Sequence, residues 1–493
     1  MSHFTKKPIS VLQKQAAEEG AHTLKRGLGV IELTTLGVGA VIGAGIFVLT
    51  GHAAHDLAGP AIVLSFVLAG GVCLFAALCY AELASMIPVS GSAYTYAFAT
   101  LGQLFAWIIA WDLMVEYLFA ASTVAVGWSG YFTGLLSDLG IHIPKIWSAA
   151  PFAGVTWGAI EPTGAILNLP AMLVIAFTAF VLILGISESA AFNATIVVIK
   201  LGVVLLVIAF GFFHVDTANW TPFIPPPAPT EAGPTQFGFP GIVHAAGVIF
   251  FAYIGFEVIS TAAQEAREPQ RTMPISILSA LVLCTVLYVL MCLVITGVVN
   301  YTDPGLALPR PIYTVVQAMG PSLAWLKFVV TIGATIGLAS TILALLYGQS
   351  RIFYAMGRDG LLPPMFCAIH PKRRTPWAGT IITAVFAALM AGLFPVGLLG
   401  ELVSVGTLLA FAMICGGVIY LRWKHPDIPR AFRVPVFWLV APLGIASCLY
   451  LIAGLPTDTF IRLVVWMVIG FVVYFGYAAR HSRVRAAQEA AAE

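Results

Sequence analysis

Long apolar runs separated by short polar segments fill most of this chain. About twelve of these runs approach the length of roughly 20 residues that a helix needs to cross the hydrocarbon core of a bilayer. They lie near residues 31–50, 61–86, 102–134, 167–186, 192–213, 239–262, 275–299, 322–349, 377–396, 399–421, 435–454 and 463–480. Polar and apolar residues do not alternate along them with period two, as they do in the strands of a membrane barrel. The pattern predicts an all-α integral membrane protein.

The composition strengthens this prediction and narrows the possible functions. Of the 493 residues, 60% are hydrophobic and 9% are charged, whereas soluble domains average about 25% charged residues. The runs contain no HExxH motif, paired aspartates or Ser–His arrangement, the seven cysteines lack metal-ligand spacing, and no nucleotide-binding loop is present. We therefore expect no enzyme, no catalytic residue, no cofactor and no metal ion. An ATP-driven pump would need a separate motor subunit.

The basic residues are unevenly divided between the segments that connect the runs. If the amino terminus is cytoplasmic, the external segments hold only Lys145, Arg310, Lys327 and Arg462, and Lys200 lies inside a run. The other lysines and arginines among the 24 then fall on the cytoplasmic side. Such a bias sets the orientation of membrane proteins. It predicts a multi-pass protein of the cell (inner) membrane, in contact with lipids and with both termini in the cytoplasm.

One charged residue interrupts the fifth run. Lys200 stands in the middle of FNATIVVIKLGVVLLVIAFGFF, residues 192–213. A cation at the centre of a membrane helix costs about 2.5–3.5 kcal/mol on the translocon insertion scale. Because lysine is a base, it can be charged in one state of the protein and neutral in another. Lys200 is therefore a candidate for a switch, with a permanently charged brace between helices as the alternative.

Two of the runs are interrupted in a related way. The first contains GVGAVIGAGIFVLTG, residues 37–51, and the sixth contains GVIFFAYIGFEVIST, residues 247–261. Glycine-rich segments can simply allow close helix packing. Interruptions five runs apart, however, are typical of transporters built from inverted repeats, in which two broken helices meet at the substrate site. Together with Lys200, they favour a binding site.

Four ordered segments carry a resemblance to a known family. GVGAVIGAGIFVLTG, YAELASMIPVSGSAYTYAF (80–98), FFAYIGFEVISTAAQEAREPQRTMP (250–274) and YGQSRIFYAMGRDGLLP (347–363) resemble the cationic amino acid transporter family, within the amino acid–polyamine–organocation superfamily and including bacterial amino acid permeases. The resemblance runs from about residue 24 to 480. It implies two inverted five-helix repeats, with helices 1 and 6 discontinuous, followed by two additional helices. The corresponding divisions are a cytoplasmic tail 1–29, repeats 30–213 and 239–421, helices 11–12 in 435–480, and a cytoplasmic tail 481–493.

The resemblance also implies a substrate site between the two broken helices. Backbone groups of the first would bind the substrate carboxylate at the positive end of a half-helix, and carbonyls of the sixth would accept the substrate ammonium. The residues implied are Ile42, Gly43, Ala44 and Gly45 on the first, and Phe251, Ala252 and Ile254 on the sixth. Some relatives carry a hydroxyl residue at the position of Ala44, so its absence here leaves carboxylate binding to backbone groups.

Three further acidic and aromatic residues are candidates. Glu116, one helical turn after Asp112, corresponds to a glutamate near the distal end of the substrate pocket in similar proteins. It would receive a substrate cation or tune the pocket, or else be a buried structural group, and Asp112 is interpreted as a structural partner. Glu257 replaces the aspartate that relatives usually carry after the break. With Tyr253, it is assigned a gating or structural role.

Lys200 falls where sodium-coupled members of the superfamily bind a second sodium ion, and where proton-coupled relatives place a lysine ammonium. The partners implied here are the carbonyls of Gly39 and Ile42 and the hydroxyls of Ser340 and Thr341. An ammonium at this position would fill the cation site without sodium, and loss of its proton would release its contacts to the first helix.

These features predict a secondary transporter that moves an amino acid by alternating access, in symport with protons. The alternative is an uncoupled facilitator or exchanger of cationic amino acids in which Lys200 stays charged. A receptor is disfavoured because no soluble output domain is present. The expected partners are an amino acid, protons and membrane lipids, with no nucleic acid and no obligatory protein partner. The substrate stays open between cationic and small neutral amino acids: Glu116 favours cations, whereas the aromatic residues near the break restrict volume.

Overall fold

The computed structural model describes most of the chain as helix. The described residues are 5–9, 11–12, 27–89, 91–153, 161–185, 190–229, 235–371, 373, 375–455 and 457–490. Most of the predicted tail 1–29 and the end of the tail 481–493 lie outside them. The same holds for five basic residues predicted on the cytoplasmic side, Lys14, Lys25, Arg26, Lys372 and Arg374.

Sixteen α-helices carry labels below, and short 3₁₀, π and α-helical turns join or extend some of them. The first eight are α1 Val30–Val41, α2 Ile62–Met86, α3 Ser92–Thr100, α4 Gln103–Asp138, α5 Leu169–Leu184, α6 Ala190–Phe212, α7 Gly238–Ile249 and α8 Val258–Thr261. The others are α9 Pro269–Val298, α10 Pro311–Ala318, α11 Ala324–Arg358, α12 Trp377–Leu393, α13 Val396–Lys424, α14 Phe437–Ala453, α15 Thr457–Val473 and α16 Arg483–Ala490. The turns between α1 and α2 are Gly45–Leu49, Thr50–Ala53, Ala54–Ala58 and Gly59–Ala61, and those after α15 are Tyr474–Ala478 and Ala479–His481.

The helices confirm a membrane protein with several apolar spans. Among the described residues, eight helical stretches are long and apolar enough to cross a bilayer, and four shorter apolar helices, α1, α5, α12 and α14, accompany them. The first predicted run, 31–50, is divided because α1 ends at Val41 and a new helical stretch begins at Gly45. That stretch continues into α2 without a non-helical gap.

The connecting segments contain elements that the search for long apolar runs did not predict. Helices α3 and α10 are too short to span a bilayer. Between α4 and α5, a two-stranded antiparallel sheet pairs β1 (Phe152–Ala153) with β2 (Glu161–Pro162). These elements do not change the membrane fold.

Helix α1 lies at the centre of the functional region. It packs against α9, α6 and α11, while α4 packs along both α11 and α13. The π-helical turn Gly45–Leu49 contacts the 3₁₀ turn Phe250–Tyr253 that follows α7. Two interrupted helices therefore meet in the interior, surrounded by longer uninterrupted ones.

Asp359 joins distant parts of the chain at one end of this bundle. The Lys7 ammonium lies 3.0 Å from one of its carboxylate oxygens, and Tyr94 donates a hydrogen bond of 2.7 Å to the other. The Arg483 backbone N–H donates to the Asp359 carbonyl at 3.0 Å. Residues from near both ends of the chain thus converge on the loop that follows α11.

Candidate substrate and coupling site

The first broken helix is interrupted at residues 42–44, named here the first break. Helix α1 ends where Ile42 adopts an extended conformation, with φ −74° and ψ 96°. Beyond the break, the chain resumes as the π-helical turn Gly45–Leu49. The N–H groups of Gly43, Ala44 and Gly45 make no hydrogen bond to any residue that the structure describes. Free N–H groups at the start of a helical segment are suited to bind an anion such as a carboxylate.

The second broken helix is interrupted at residues 254–257, the second break. The 3₁₀ turn Phe250–Tyr253 ends at Ile254, which is extended, and α8 begins at Val258. The two carboxylate oxygens of Glu257 accept hydrogen bonds from the Gly255 N–H at 2.9 and 3.1 Å, and one of them also accepts from the Tyr117 hydroxyl at 3.2 Å. The fully buried Glu257 side chain therefore binds the backbone of the break to which it belongs.

Two glycines allow the breaks to touch. Gly255 has φ 122°, and a Cβ there would overlap the backbone of Ala40 and Val41. A Cβ at Gly45 would overlap Ala252. Only glycine tolerates the conformation and the close approach at Gly255, and at Gly45 the close approach alone excludes a side chain. Contact between the two broken helices therefore explains these two glycines.

A small cavity lies between the breaks. Its described lining is Ala40, Val41, Gly43, Ala44, Gly45, Ala120, Val124, Phe251, Ile254, Thr341 and Leu345. This lining brings together five of the residues that the sequence implied for substrate binding: Gly43, Ala44, Gly45, Phe251 and Ile254. It contains no charged side chain, and its polar side chain is that of Thr341.

The three carbonyls implied for ammonium binding differ in their surroundings. The Phe251 carbonyl accepts the N–H of Ile254 at 3.2 Å, and the Ala252 carbonyl accepts the hydroxyl of Tyr288 at 2.6 Å. The Ile254 carbonyl accepts no hydrogen bond from the described residues. Of these three carbonyls, that of Ile254 is therefore the unoccupied acceptor among the described residues.

The Lys200 ammonium lies beside the first break, buried and surrounded by oxygen atoms. Its Nζ donates to the carbonyls of Gly39 at 2.5 Å and Ile42 at 3.0 Å, and to the hydroxyls of Ser340 and Thr341, each at 3.2 Å. These carbonyls belong to the carboxyl end of α1, the end of a helix that favours a cation. The structure therefore brings all four residues implied as partners of Lys200 within hydrogen-bonding distance of it.

Thr341 joins this cluster to the cavity. Its hydroxyl lies 3.1 Å from the Ile42 carbonyl and 3.2 Å from Lys200 Nζ, and its methyl carbon would meet a Cβ placed on Gly43. The same side chain lines the cavity. Thr341 is thus one side chain in contact with both the ammonium cluster and the space between the breaks.

Glu116 is buried in α4 but lies outside the cavity lining. On the same helix, Ala120 and Val124, one and two turns further on, line the cavity instead. Both carboxylate oxygens of Glu116 and Oδ2 of Asp112 lack a hydrogen-bond partner among the described residues. The two acidic groups are therefore set one or more turns away from the cavity.

Tyr253 and His244 are the remaining candidates. The Tyr253 hydroxyl donates to the Phe66 carbonyl on α2 at 2.8 Å, so it ties the second broken helix to its neighbour. His244, which stood alone in the sequence, lies in α7, and neither ring nitrogen has a partner among the described residues. It contacts neither the cavity nor the Lys200 cluster by any described hydrogen bond.

Sequence reasoning missed several residues of this region. Tyr117, Ala120, Val124, Tyr288 and Leu345 contact the breaks or line the cavity. Tyr117 follows Glu116 directly, and its helical position could have suggested a shared site. The others are ordinary residues of apolar helices, and only the three-dimensional packing distinguishes them.

Comparison with known proteins gives a consistent result. The family model "Amino acid permease" matches residues 28–479. The chain is 44% identical to the branched-chain amino acid permease BcaP of Bacillus subtilis (strain 168), over 98% of this chain and 99% of that protein. It is 42% identical to the methylthioribose transporter of the same organism, again over 98% and 99%.

More distant relatives are cationic amino acid transporters. The vacuolar cationic amino acid transporter 4 of Arabidopsis thaliana is 35% identical over 83% of this chain and 65% of that protein. The resemblance inferred from the four segments is therefore confirmed. These relatives are transporters rather than enzymes, and this chain belongs to the amino acid permease family, whose function is the transport of amino acids across membranes.

Proposed function

We propose that this protein is a secondary active transporter that imports an amino acid with an apolar side chain together with a proton. The observation that carries the proposal is the cavity between the breaks, with free N–H groups on one side, the Ile254 carbonyl on the other and apolar side chains around them. An amino acid is a zwitterion, so it needs donors and acceptors on opposite sides of one small space. No protein partner, nucleic acid or cofactor is needed for this activity.

The proposed architecture has twelve spans. Helix α1 with the turn Gly45–Leu49 forms the first span, and α7 with α8 forms the sixth. The other ten are α2, α4, α5, α6, α9, α11, α12, α13, α14 and α15 with its continuation. Spans one to five and six to ten would form the inverted repeats. The distribution of basic residues supports placement in the cell membrane, surrounded by lipids, with both termini in the cytoplasm.

The lining of the cavity favours an apolar substrate side chain. Ala120, Val124 and Leu345 contribute only aliphatic groups, and Phe251 and Ile254 add further apolar surface. A cationic side chain placed there would lose its hydration without an acidic partner, at a cost of several kcal/mol. The branched-chain permease relative, which matches nearly the full length of both chains, points to the same substrate class.

Lys200 is proposed as the group that couples transport to protons. Its ammonium holds two carbonyls at the carboxyl end of α1, and a neutral amine would hold them less strongly, because hydrogen bonds from charged donors are about twice as strong. Loss of the proton would therefore release α1, whose movement would open the site to the cytoplasm.

A specific observation favours the alternative, an uncoupled facilitator or exchanger of cationic amino acids. Glu116 is fully buried, and neither carboxylate oxygen has a described partner. A long cationic side chain that extended one turn along α4 beyond Ala120 would find its counter-charge at this residue. Relatives named as cationic amino acid transporters also support this possibility.

A thermal-shift panel separates the two proposals. The purified protein in detergent is heated with each amino acid and, because of the second relative, with methylthioribose. A ligand that binds the native state raises the melting temperature. We expect shifts with leucine, isoleucine and valine and none with arginine or lysine. A shift with arginine or lysine alone would instead favour the cationic alternative.

Uptake into proteoliposomes then tests coupling. Labelled leucine should accumulate above its external concentration when the outside is acidic, and a protonophore should abolish that accumulation. Protein-free liposomes provide the background. Counterflow that proceeds equally well with and without a pH gradient, with no accumulation in either case, would rule out symport.

A further inference from the structure

A buried carboxylate joins two arginines where α13 ends. Glu82, near the carboxyl end of α2, accepts hydrogen bonds from Arg422 Nε at 2.9 Å and Nη2 at 2.7 Å, and from Arg430 Nε at 3.2 Å. The Val434 N–H also donates to it, at 2.8 Å. Arg422 belongs to the last turn of α13, and the other two residues lie in the loop 425–436 that leads to α14. These contacts tie α2 to the junction of α13 and α14.

The two arginines differ in how many of their N–H groups are paired. A guanidinium carries five N–H donors. Those of Arg430 are all paired, one with Glu82 and four with backbone carbonyls of the loop and of the end of α13. Nη1 of Arg422 donates to no residue that the structure describes, and the side chain of Arg422 is 14% exposed. Arg430 therefore holds the loop, whereas Arg422 has donors left for a ligand.

Two further cations lie beside this pair of arginines. Lys424 and Arg433 are exposed, and neither forms an ion pair with an acidic residue in the described part of the chain. Burial lowers the pKa of the Arg430 guanidinium, Glu82 raises it, and the charges of Arg422 and Arg433 lower it further. Arg433 is therefore close enough to act electrostatically on the buried pair.

Acidic residues do not balance these cations. Between residues 420 and 440 the chain carries four basic residues and one acidic residue, the exposed Asp427. Glu82, from α2, supplies a second negative charge to the same region. The junction of α13 and α14 therefore keeps an excess of positive charge, and an anion bound there would neutralise it.

Exposed aromatic residues flank the same cations. Trp423, near the end of α13, is 79% exposed, and Trp438, near the start of α14, is 69% exposed. Between them, the guanidinium of Arg422 lies 5.0 Å from the centre of the Phe437 ring. Tryptophan is enriched at the headgroup level of membrane proteins, and the distribution of basic residues predicts that this loop is cytoplasmic. The excess charge thus lies at the level of the lipid headgroups.

We propose that the junction of α13 and α14 binds the headgroup of an anionic phospholipid. The lipid phosphate accepts hydrogen bonds from Nη1 of Arg422 and is attracted by Lys424 and Arg433, while Trp423 and Trp438 pack against the glycerol and the upper acyl chains. Guanidinium groups are suited to phosphate oxygens, and basic pockets between membrane helices on the cytoplasmic side bind such headgroups. This inference goes beyond transport and does not depend on which substrate is carried.

The occupant is a lipid rather than a phosphate ion from solution, because the site combines charge with apolar surface. A dissolved ion would contact only the cations. The two exposed indole rings would remain without a partner, although large apolar groups at a surface are typical of contact with a membrane or another molecule. An anionic phospholipid contacts both the cations and the rings.

The test compares melting temperatures in nanodiscs of phosphatidylcholine with and without phosphatidylglycerol. Phosphatidylglycerol should raise the melting temperature of the wild type, since a ligand of the native state stabilises it. The double variant Lys424→Gln/Arg433→Gln removes two cations that do not contact Glu82. It should melt like the wild type in phosphatidylcholine alone and lose at least half of the shift caused by phosphatidylglycerol.

Arg271→Gln/Arg373→Gln is the matched control. It removes two exposed basic residues from other segments predicted to be cytoplasmic, so the net charge changes by the same amount. This variant should keep the full shift. Equal losses in the two double variants would overturn the inference, because they would show a general attraction between the cytoplasmic face and anionic lipid.

A titration of the detergent-purified protein separates the lipid from a dissolved anion. Native mass spectrometry with short-chain phosphatidylglycerol should show roughly tenfold weaker binding to Lys424→Gln/Arg433→Gln than to the wild type. Inorganic phosphate at the same concentration should leave the melting temperature of the wild type unchanged, and a shift equal to that of the lipid would overturn the assignment. If the double variant does not fold, the wild type alone decides: equal binding of phosphatidylglycerol and phosphatidylcholine would contradict the proposed site.

Discussion

At both breaks a buried side chain binds backbone groups that the interrupted helix leaves unpaired, and the two side chains are of opposite charge type. The first exposes carbonyls at the carboxyl end of α1, and the cation Lys200 meets them. The second exposes the N–H of Gly255, and the carboxylate of Glu257 meets it. In each case the charge complements the free backbone groups, as the helix dipole requires.

The breaks differ in where the counter-charge comes from. Glu257 lies two residues from the group it binds, so the second break carries its own support. Lys200 belongs to α6, 161 residues from Gly39 along the chain. If Lys200 is the coupling group, as proposed, the first break would lose this support when α1 and α6 separate or when the ammonium loses its proton. That dependence makes the first break the better candidate for the moving part and the second the better candidate for a fixed platform.

The largest loss of stability and transport is expected from a substitution where the second break contacts the end of α1. Gly255→Ala would place a Cβ against the backbone of Ala40 and Val41, at a residue with φ 122°. Strain and overlap together should destabilise the protein by about 4 kcal/mol and abolish leucine uptake. Gly71→Ala is the matched control, because a Cβ there meets nothing within 4 Å. Melting curves in which the two variants behave alike would show that the breaks are not in close contact.

A smaller loss of stability is expected when the Glu257 side chain that supports the second break is replaced. Glu257→Leu removes the acceptor for the Gly255 N–H and the Tyr117 hydroxyl, so it should lower stability by about 2–3 kcal/mol. Glu257→Gln keeps one oxygen acceptor and should lose less than about 1 kcal/mol. Chemical unfolding or melting in detergent measures the difference. Equal losses in the two variants would mean that the break is held by something other than this acceptor.

The smallest loss is expected from substitution of Thr341, whose side chain lines the cavity and contacts the Lys200 ammonium. Thr341→Val keeps the shape but removes the hydroxyl, so accumulation driven by a pH gradient should fall about threefold to tenfold, while leucine counterflow persists. Thr341→Ser keeps the hydroxyl and should retain coupling. The ratio of accumulation to counterflow is the readout. A Ser variant that loses coupling as fully as the Val variant would indicate that packing, not the hydroxyl, matters.

The sequence was most informative where one residue departed from its surroundings. A lysine inside an apolar run and glycines in a membrane helix are visible without a structure, and they marked Lys200 and both breaks. Resemblance to a family supplied Ser340 and Thr341, which lie about 140 residues from Lys200 and could not have been paired with it by spacing. The apolar runs also predicted most helices, although the run 31–50 gave no sign that α1 ends at Val41.

Other parts of the site could not be predicted from the sequence, because they depend on how helices rotate and pack. Tyr288 is 247 residues from Val41, and a tyrosine in an apolar helix gives no sign of which backbone carbonyls its hydroxyl contacts. Glu116 was expected near the distal end of the pocket, but the residues of α4 that line the cavity are Ala120 and Val124, one and two turns further along the same face. The level at which a cavity lies along a helix depends on how the neighbouring helices pack, and the composition of the helix does not reveal it.

The central claim is that the Lys200 ammonium couples the first break to protons. The most direct measurement is leucine accumulation by Lys200→Gln in proteoliposomes under an inward proton gradient, with Lys145→Gln, a change at an exposed lysine, as control. Glutamine keeps N–H donors, on a side chain one atom shorter than that of lysine, but cannot change its charge. We predict that Lys200→Gln exchanges leucine by counterflow yet does not accumulate it, while Lys145→Gln behaves like the wild type. Normal accumulation by Lys200→Gln would contradict the account.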